Sequence, residues 1–325
     1  MSVVTASESI AGYRHEAYVY RGERGFLEAT VPFVRAAIEA DEPILVAVIE
    51  PRLRLVQAAL GADAGRVTFV NMADIGRNPA RIIPAWLTFL AEAGSPHRAV
   101  RGIGEPIWAG RSDAELIECQ LHEALLNRAV HADTDFWLRC PYDADTLDAA
   151  VIAEALRSHP LADLAHNDAG ARRGLAASEH FAGHDESVST IFGASLPEPP
   201  ADARLVVFDA DRLWEVRQEV RARLSGSGAR SERIEDVVLA VHELATNSVR
   251  HGKGVGRLRA WHSGDAVVIE VADSGSIVDP MVGRVAPALE QTGGRGVWLA
   301  NQLCDLVQIR SGAHGTTVRV SVSLA

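Results

Sequence analysis

The stretch Glu243-Leu244-Ala245-Thr246-Asn247-Ser248-Val249-Arg250-His251-Gly252 decides how the chain is read. It closes a helical pattern that begins near Ser231. Within it Glu243, Asn247 and His251 stand at i, i+4 and i+8, so a carboxylate, an amide and an imidazole share one helix face. A carboxylate accepts a proton or holds a water. An amide oxygen is a hard ligand of the kind Mg²⁺ takes alongside its waters. Alone, three polar residues on one face equally describe a solvated surface.

Working outward, Val271-Ala272-Asp273-Ser274-Gly275 reads as a strand ending in an acid, with a glycine two residues on. An aspartate there can accept a hydrogen bond from an exocyclic amine, and the glycine lets backbone approach a flat ring. The plainer reading is an Asp-Ser-Gly turn. Gly293-Gly294-Arg295-Gly296 then opens a helix, whose free N–H groups and dipole favour an anion. Arg295 adds a two-pronged phosphate donor. No Gly-Lys-Ser/Thr follows, so this is not a Walker loop. Gly315-Thr316-Thr317 starts the last strand and offers hydroxyls to the same ligand. Each piece is weak alone; their order makes the pattern.

That order resembles the Bergerat fold of the GHKL ATPases, the family of gyrase, heat-shock chaperones, histidine kinases and the mismatch-repair protein MutL. Glu243-x-x-x-Asn247 resembles its N box, Asp273-x-Gly275 its first glycine box and Gly294-Arg295-Gly296 its second. Within the family the chain looks like the anti-sigma-factor serine/threonine kinases of the RsbW and SpoIIAB type, whose N box is similar to Glu-Leu-x-Thr-Asn-x-x-x-His-Gly. The resemblance implies ATP and Mg²⁺ as cofactors, with Asn247 the Mg²⁺ ligand and Glu243 the general base. It implies nucleotide contacts at His251, Lys253, Asp273, Gly275, Gly294, Arg295, Gly296, Val297 and Thr316. It also implies partners: a sigma factor held inactive, and an anti-anti-sigma (STAS) protein phosphorylated on serine or threonine. Phosphoryl transfer mainly needs positioning and charge neutralisation, which such a site supplies. The family's first glycine box reads Asp-x-Gly-x-Gly; here Ile277 stands at the second glycine. Arg284, on the lid side, and Lys253, on the N-box side, each read equally as a phosphate-directed cation and as a surface charge.

Around these motifs, helices at 213–224, 231–250 and 295–304 alternate with strands at 205–208, 257–262, 266–272, 306–310 and 316–322. This predicts an α+β domain with helices on one face of a mixed sheet. The first half differs. Strand signals at 17–20, 44–49, 67–70, 99–103 and 136–138 alternate with helical patterns, which predicts a parallel sheet covered on both faces. From His15 to Pro160 it resembles the MEDS sensory domain. The likeness is carried by Tyr18–Glu50, Gly104-Glu105-Pro106-Ile107-Trp108 and Cys140-Pro141-Tyr142-Asp143. It implies a RecA/KaiC-like α/β fold, but Arg21-Gly22-Glu23-Arg24-Gly25-Phe26 lacks a P-loop lysine, so ATP hydrolysis is not expected there. The domains are read as 1–160, a linker 161–202 with Leu196-Pro197-Glu198-Pro199-Pro200 as a semi-stiff connector, and 203–325.

Ligands of parallel sheets sit at strand C-termini. Glu105 and Trp108 are expected after the fourth strand, and Cys140, Tyr142 and Asp143 after the fifth. The intervening helix carries Glu115, Glu118, Cys119, His122 and Glu123. Glu118/His122 and Cys119/His122 have metal-ligand spacing, which arises often by chance. A small-molecule signal is the better expectation there, and partner docking or scaffolding outweighs both. His180 and His184 read as solvated.

The formal charge is −11, with Lys253 the sole lysine. Residues 1–195 hold 17 basic and 27 acidic side chains; residues 196–325 hold 15 and 16. Neither part has the basic footprint of a nucleic-acid-binding domain, and the acidic half repels anionic membranes. Three cysteines at no metal-like spacing, no signal-like start and no membrane-length apolar run predict a cytoplasmic protein. Three other readings stand beside the kinase. A sensor histidine kinase needs a phosphoacceptor on paired helices, yet 213–224 has no histidine, and His159, His166, His180 and His184 fall in or next to a linker that lacks a long two-helix pattern. A nucleotide-gated, non-catalytic module is motivated by Ile277, and a bare scaffold keeps only the fold. By resemblance, Asp211–Leu224 is where such kinases dimerise or meet sigma, so a homodimer is allowed; packing on its own sheet accounts for most of its apolar stripe.

Overall fold

The computed structural model describes residues 11–93, 98–164, 175–226, 228–287 and 294–324. The chain forms two compact units, Met1–Ser187 and Val188–Ala325. The first runs β1 (Arg14–Tyr20), α1 (Gly22–Glu39), β2 (Ile44–Val48), α2 (Glu50–Leu60), β3 (Thr68–Asn71), α3 (Met72–Ile75), α4 (Ile82–Ala93), β4 (Val100–Gly104), α5 (Asp113–Ala129), β5 (Phe136–Asp143), α6 (Ala149–Ser158), β6 (Leu161–Leu164) and β7 (Leu175–Ala177). Its sheet has the order β3-β2-β4-β5-β1-β6-β7. Every pairing is parallel except β6 with β7.

The apolar run of β2 is buried at every position, as a strand covered on both faces must be. Ile103 of β4 joins the core built with α1 and α2. Its neighbours Gly102 and Gly104 meet the ring of Trp86 from α4 on the other face; a Cβ at Gly102 would stand 2.7 Å from that ring. α5 starts with a capping box in which Ser112 and Glu115 satisfy each other's backbone N–H groups. Two differences from the sequence reading stand out. β6 and β7 extend this sheet past residue 160, being too short for periodicity to reveal. β5 continues to Asp143, so Cys140 and Tyr142 lie within the strand, not after it.

α7 (His184–Gly193) leads into the second unit, followed by β8 (Arg204–Phe208), α8 (Leu213–Leu224), α9 (Ser231–His251), β9 (Gly256–Ser263), β10 (Ala266–Asp273), α10 (Arg295–Leu303), β11 (Leu306–Gly312) and β12 (Gly315–Ser323). The sheet order is β11-β12-β10-β9-β8. All neighbours are antiparallel, not mixed; tight hairpins join β9 to β10 and β11 to β12. Gly264 turns the first at φ 56°. Val216, Val220 and Leu224 of α8, Val241 and Leu244 of α9, and Val297 and Ala300 of α10 share one core with the sheet.

The Pro-rich connector does not run free. Arg319 Nη2 donates to Pro197 O at 2.6 Å and also pairs with Glu270. Residues 193–199 with Arg257, Arg259, Arg310 and Arg319 line a cleft of about 390 Å³. Among the described residues no helix is long and apolar enough to cross a membrane.

Candidate functional site

Burial of Val241, Leu244, Ala245 and Ser248 fixes the rotation of α9. Glu243 and Asn247 are left half-buried on its flank. Gly296, in the first turn of α10, packs against both. A Cβ there would lie 2.7 Å from Asn247 Nδ2 and 3.2 Å from Glu243 Cβ. Gly294 caps α10 in the left-handed region at φ 84°, with no side-chain cap, so the first N–H groups of the helix lack a capping acceptor. Among the described residues neither the Glu243 carboxylate nor the Asn247 amide has a hydrogen-bond partner.

Asp273 ends β10 and is anchored on both oxygens. Ser248 Oγ donates to Oδ2 at 2.6 Å, and the Gly275 N–H donates to Oδ1 at 2.7 Å. A carboxylate has about four lone-pair sites, so acceptor capacity remains. A Cβ at Gly252 would meet Asp273 at 2.4 Å, and one at Gly275 would meet His251 O at 2.5 Å. The end of α9, the end of β10 and the glycine turn therefore close into one layer. Thr316 is buried; its hydroxyl donates to Gly275 O at 3.1 Å and pairs with Ser311 Oγ at 3.0 Å. Ser311 Oγ also accepts the Ile277 N–H at 2.8 Å, and the Ile277 side chain packs on the core. Thr316 thus clamps the glycine turn, and isoleucine in place of glycine ties the turn to the core.

His251, Lys253 and Arg295 are exposed around this layer and Val297 is buried. Gly293 lies outside the described residues, as does His166. Arg284 is 4 % exposed, so it is not a surface charge. Sequence reasoning missed Ser248, Ser311 and Asn301. Asn301 Nδ2 donates to Gly283 O at 2.8 Å and holds residues 282–284 against α10.

In the first unit, Arg52 pairs with Glu105 and with Asp143 Oδ2 (2.9 Å). The Ile49 N–H donates to Glu105 Oε2 at 3.1 Å. At the expected strand-end position these side chains pair with one another. Arg111 stacks on Trp108, 3.7 Å from the ring centre. Glu118, Cys119 and His122, whose spacing arises often by chance, are buried on α5. Glu123 of the same helix meets His15, Cys140 and His159. Burial pushes Glu123 upward, but His159 and His15 hold it down to about 2. Burial holds His159 down to about 3 and raises the Cys140 thiol.

Residues 206–322 match the histidine kinase-like ATPase domain family. Residues 14–160 match the MEDS family, the methanogen/methylotroph, DcmR sensory domain. The second unit is accordingly similar to GHKL-type ATPase domains and the first to MEDS domains. No curated protein matches the chain. Among solved structures, the RsbU and RsbW domains of Rv1364c from Mycobacterium tuberculosis are similar at 26% identity and a TM-score of 0.28, over 39% of this chain and 33% of that one. The Acinetobacter baumannii histidine kinase AdeS is similar at 12% identity and a TM-score of 0.24, over 37% of this chain and 68% of that one. The chain thus spans about a third of the length of the first of these.

Proposed function

We propose that the second unit binds ATP with Mg²⁺ and is a serine/threonine kinase that works by partner switching. It holds a sigma factor inactive and phosphorylates an anti-anti-sigma protein of the STAS type; the MEDS domain biases the exchange in response to a signal. The observation that carries this is the seat of Gly296 against Glu243 and Asn247, beside the doubly anchored Asp273. The donor set fits the ligands: a carboxylate with spare acceptor capacity, an unpartnered amide oxygen, and an uncapped helix start. When bound, ATP supplies the phosphoryl group and Mg²⁺ neutralises its charge.

The chain's own residues do the rest. Asp273 accepts from an exocyclic amine, its carboxylate held in line by Ser248 and Gly275. Asn247 offers its amide oxygen to the cation. The first N–H groups of α10 and the Arg295 guanidinium face the phosphates, with His251 and Lys253 at the rim. Glu243 takes the proton from the acceptor hydroxyl, since it is the α9 carboxylate seated against Gly296 in the first turn of α10.

The test is transfer from labelled ATP to a STAS domain. Glu243→Ala is expected to slow transfer by about 10²–10⁴-fold and to leave ATP affinity intact; unchanged transfer removes Glu243 from the role. Ile277, which ties the first glycine turn to the core, favours one second reading, a nucleotide-gated binding module. ATP binding without transfer to any STAS partner decides for that reading. The histidine-kinase reading loses His159, which is fully buried with Nδ1 turned to Ala155 O.

A further inference from the structure

We propose that the first unit holds a zinc-class divalent metal ion between His15 Nε2, Glu123 Oε2, Cys140 Sγ and His159 Nε2. These atoms come from β1, α5, β5 and the C-terminal end of α6. All four residues are buried, and their ligand atoms lie within 4.8 Å of one another.

The hydrogen-bond network assigns the tautomers. His159 Nδ1 lies 2.7 Å from the Ala155 carbonyl, which can only accept, so Nδ1 carries the proton and Nε2 a lone pair. Asn127 Nδ2 donates to the carbonyls of Glu123 and Ser158, so its Oδ1 is the atom facing His15. It accepts from His15 Nδ1 at 2.9 Å, so in the neutral ring the lone pair is on Nε2, the atom that faces Glu123 and Cys140. Glu123 Oε1 accepts the Tyr142 hydroxyl at 3.0 Å, turning Oε2 to the centre. Two imidazole lone pairs, a carboxylate oxygen and a sulfur thus converge, with the thiol proton the one donor among them. His159 Nε2 makes no hydrogen bond among the described residues. Such a set lacks hydrogens and suits a cation.

The spacing agrees. Tetrahedral zinc with bonds of about 2.0–2.3 Å places neighbouring ligand atoms about 3.3–3.7 Å apart. Here Glu123 Oε2 is 3.1 Å from His15 Nε2 and 3.5 Å from His159 Nε2. Cys140 Sγ is 3.4 Å from His15 Nε2 and 3.7 Å from Glu123 Oε2. Two nitrogens, a sulfur and one oxygen favour zinc, cobalt or copper over magnesium or calcium, which take oxygen. Both histidines already donate their second nitrogen to a carbonyl oxygen, the orienting contact that metal-bound imidazoles show. On binding, the Cys140 S–H bond breaks, its proton leaves to solvent and the thiolate joins the ion. With the Glu123 carboxylate, this makes the buried site neutral. Four protein ligands close the coordination sphere, so the ion fastens β1, β5, α5 and α6 together and has no open position for catalysis.

The experiment uses the full chain, stripped with a chelator and then titrated with Co²⁺ in excess Mg²⁺, which occupies any Asn247 site. One Co²⁺ per chain is expected, with tetrahedral d–d bands and a thiolate-to-cobalt charge-transfer band that stoichiometric Zn²⁺ abolishes. Cys140→Ser is expected to remove that band and Cys119→Ser to keep it. Asn127→Ala is expected to weaken binding about 10–100-fold, as loss of an orienting contact does. No uptake, a spectrum without thiolate, or an unchanged band in folded Cys140→Ser overturns the proposal. Should Cys140→Ser not fold by circular dichroism, X-ray absorption of the zinc-loaded chain decides: one sulfur with three nitrogen or oxygen ligands supports the site, and a shell without sulfur overturns it.

Discussion

At the strand ends of the first unit, Arg52 folds onto Glu105 and Asp143 and lies over the rings of Tyr20 and Phe26. These charges are answered inside the protein. On α9 of the second unit, Glu243 and Asn247 point at the start of α10 with no partner among the described residues. A polar group with partners specifies a fold; one placed without them, on a rigid helix and half in water, is kept for something that arrives later.

The sharpest way to break this contrast is Arg52→Ala. Glu105 is fully buried, and removing one partner of a buried ion pair costs about 3–5 kcal/mol. Hydrogen exchange in β2 and β5 of the full chain should rise accordingly while β9 and β10 stay protected; a loss below about 1 kcal/mol would mean that water already answers Glu105. Next comes Asp273→Ala. Hydrogen bonds to a charged group are worth about 1.5–3 kcal/mol, so calorimetric titration should show ATP binding about 10–100-fold weaker. Retained affinity would place the nucleotide elsewhere. Smaller again is Glu243→Gln, which should change the unfolding free energy from urea titration by no more than about 0.5 kcal/mol, because the carboxylate supports nothing in the free protein. A larger loss would show that it has a structural partner after all. The smallest effect is kinetic. Burial pushes the Cys304 thiol up to about 12, and only thiolate reacts with an alkylating agent. Its alkylation in native protein should stay slow and still climb from pH 8 to 10, where an ordinary thiol levels off.

Much of this was legible before any coordinates. The helix phase of α9 follows from Val237, Val241, Leu244 and Ala245, and it fixes where Glu243 and Asn247 point. Asp273-x-Gly275 and Gly294-Arg295-Gly296 are linear signals, although Ile277 stands where the first pattern has its second glycine. Ser248 and Ser311 were not legible as site residues, because their roles are hydrogen bonds to Asp273 and to the Ile277 backbone, reached across 25 and 34 residues. The His15 cluster was hidden for the same reason. Its members meet only when β1 pairs with β5, bringing residues 125 apart into contact, and helical spacing drew attention to Glu118 and His122, not to Glu123. The antiparallel register of the second sheet was lost because β8 reaches β9 only after two helices, and local signals carry no strand direction.

Lys253 closes the N-box turn at φ 65°, is exposed, and follows Gly252, whose close approach to Asp273 no side chain could share. It is also the single lysine of the sequence, while all three cysteines are buried. A succinimidyl ester therefore has one lysine amine to find. A fluorophore attached there sits beside the glycine turn, so its emission would report on occupancy of the proposed nucleotide site in real time without any engineered residue.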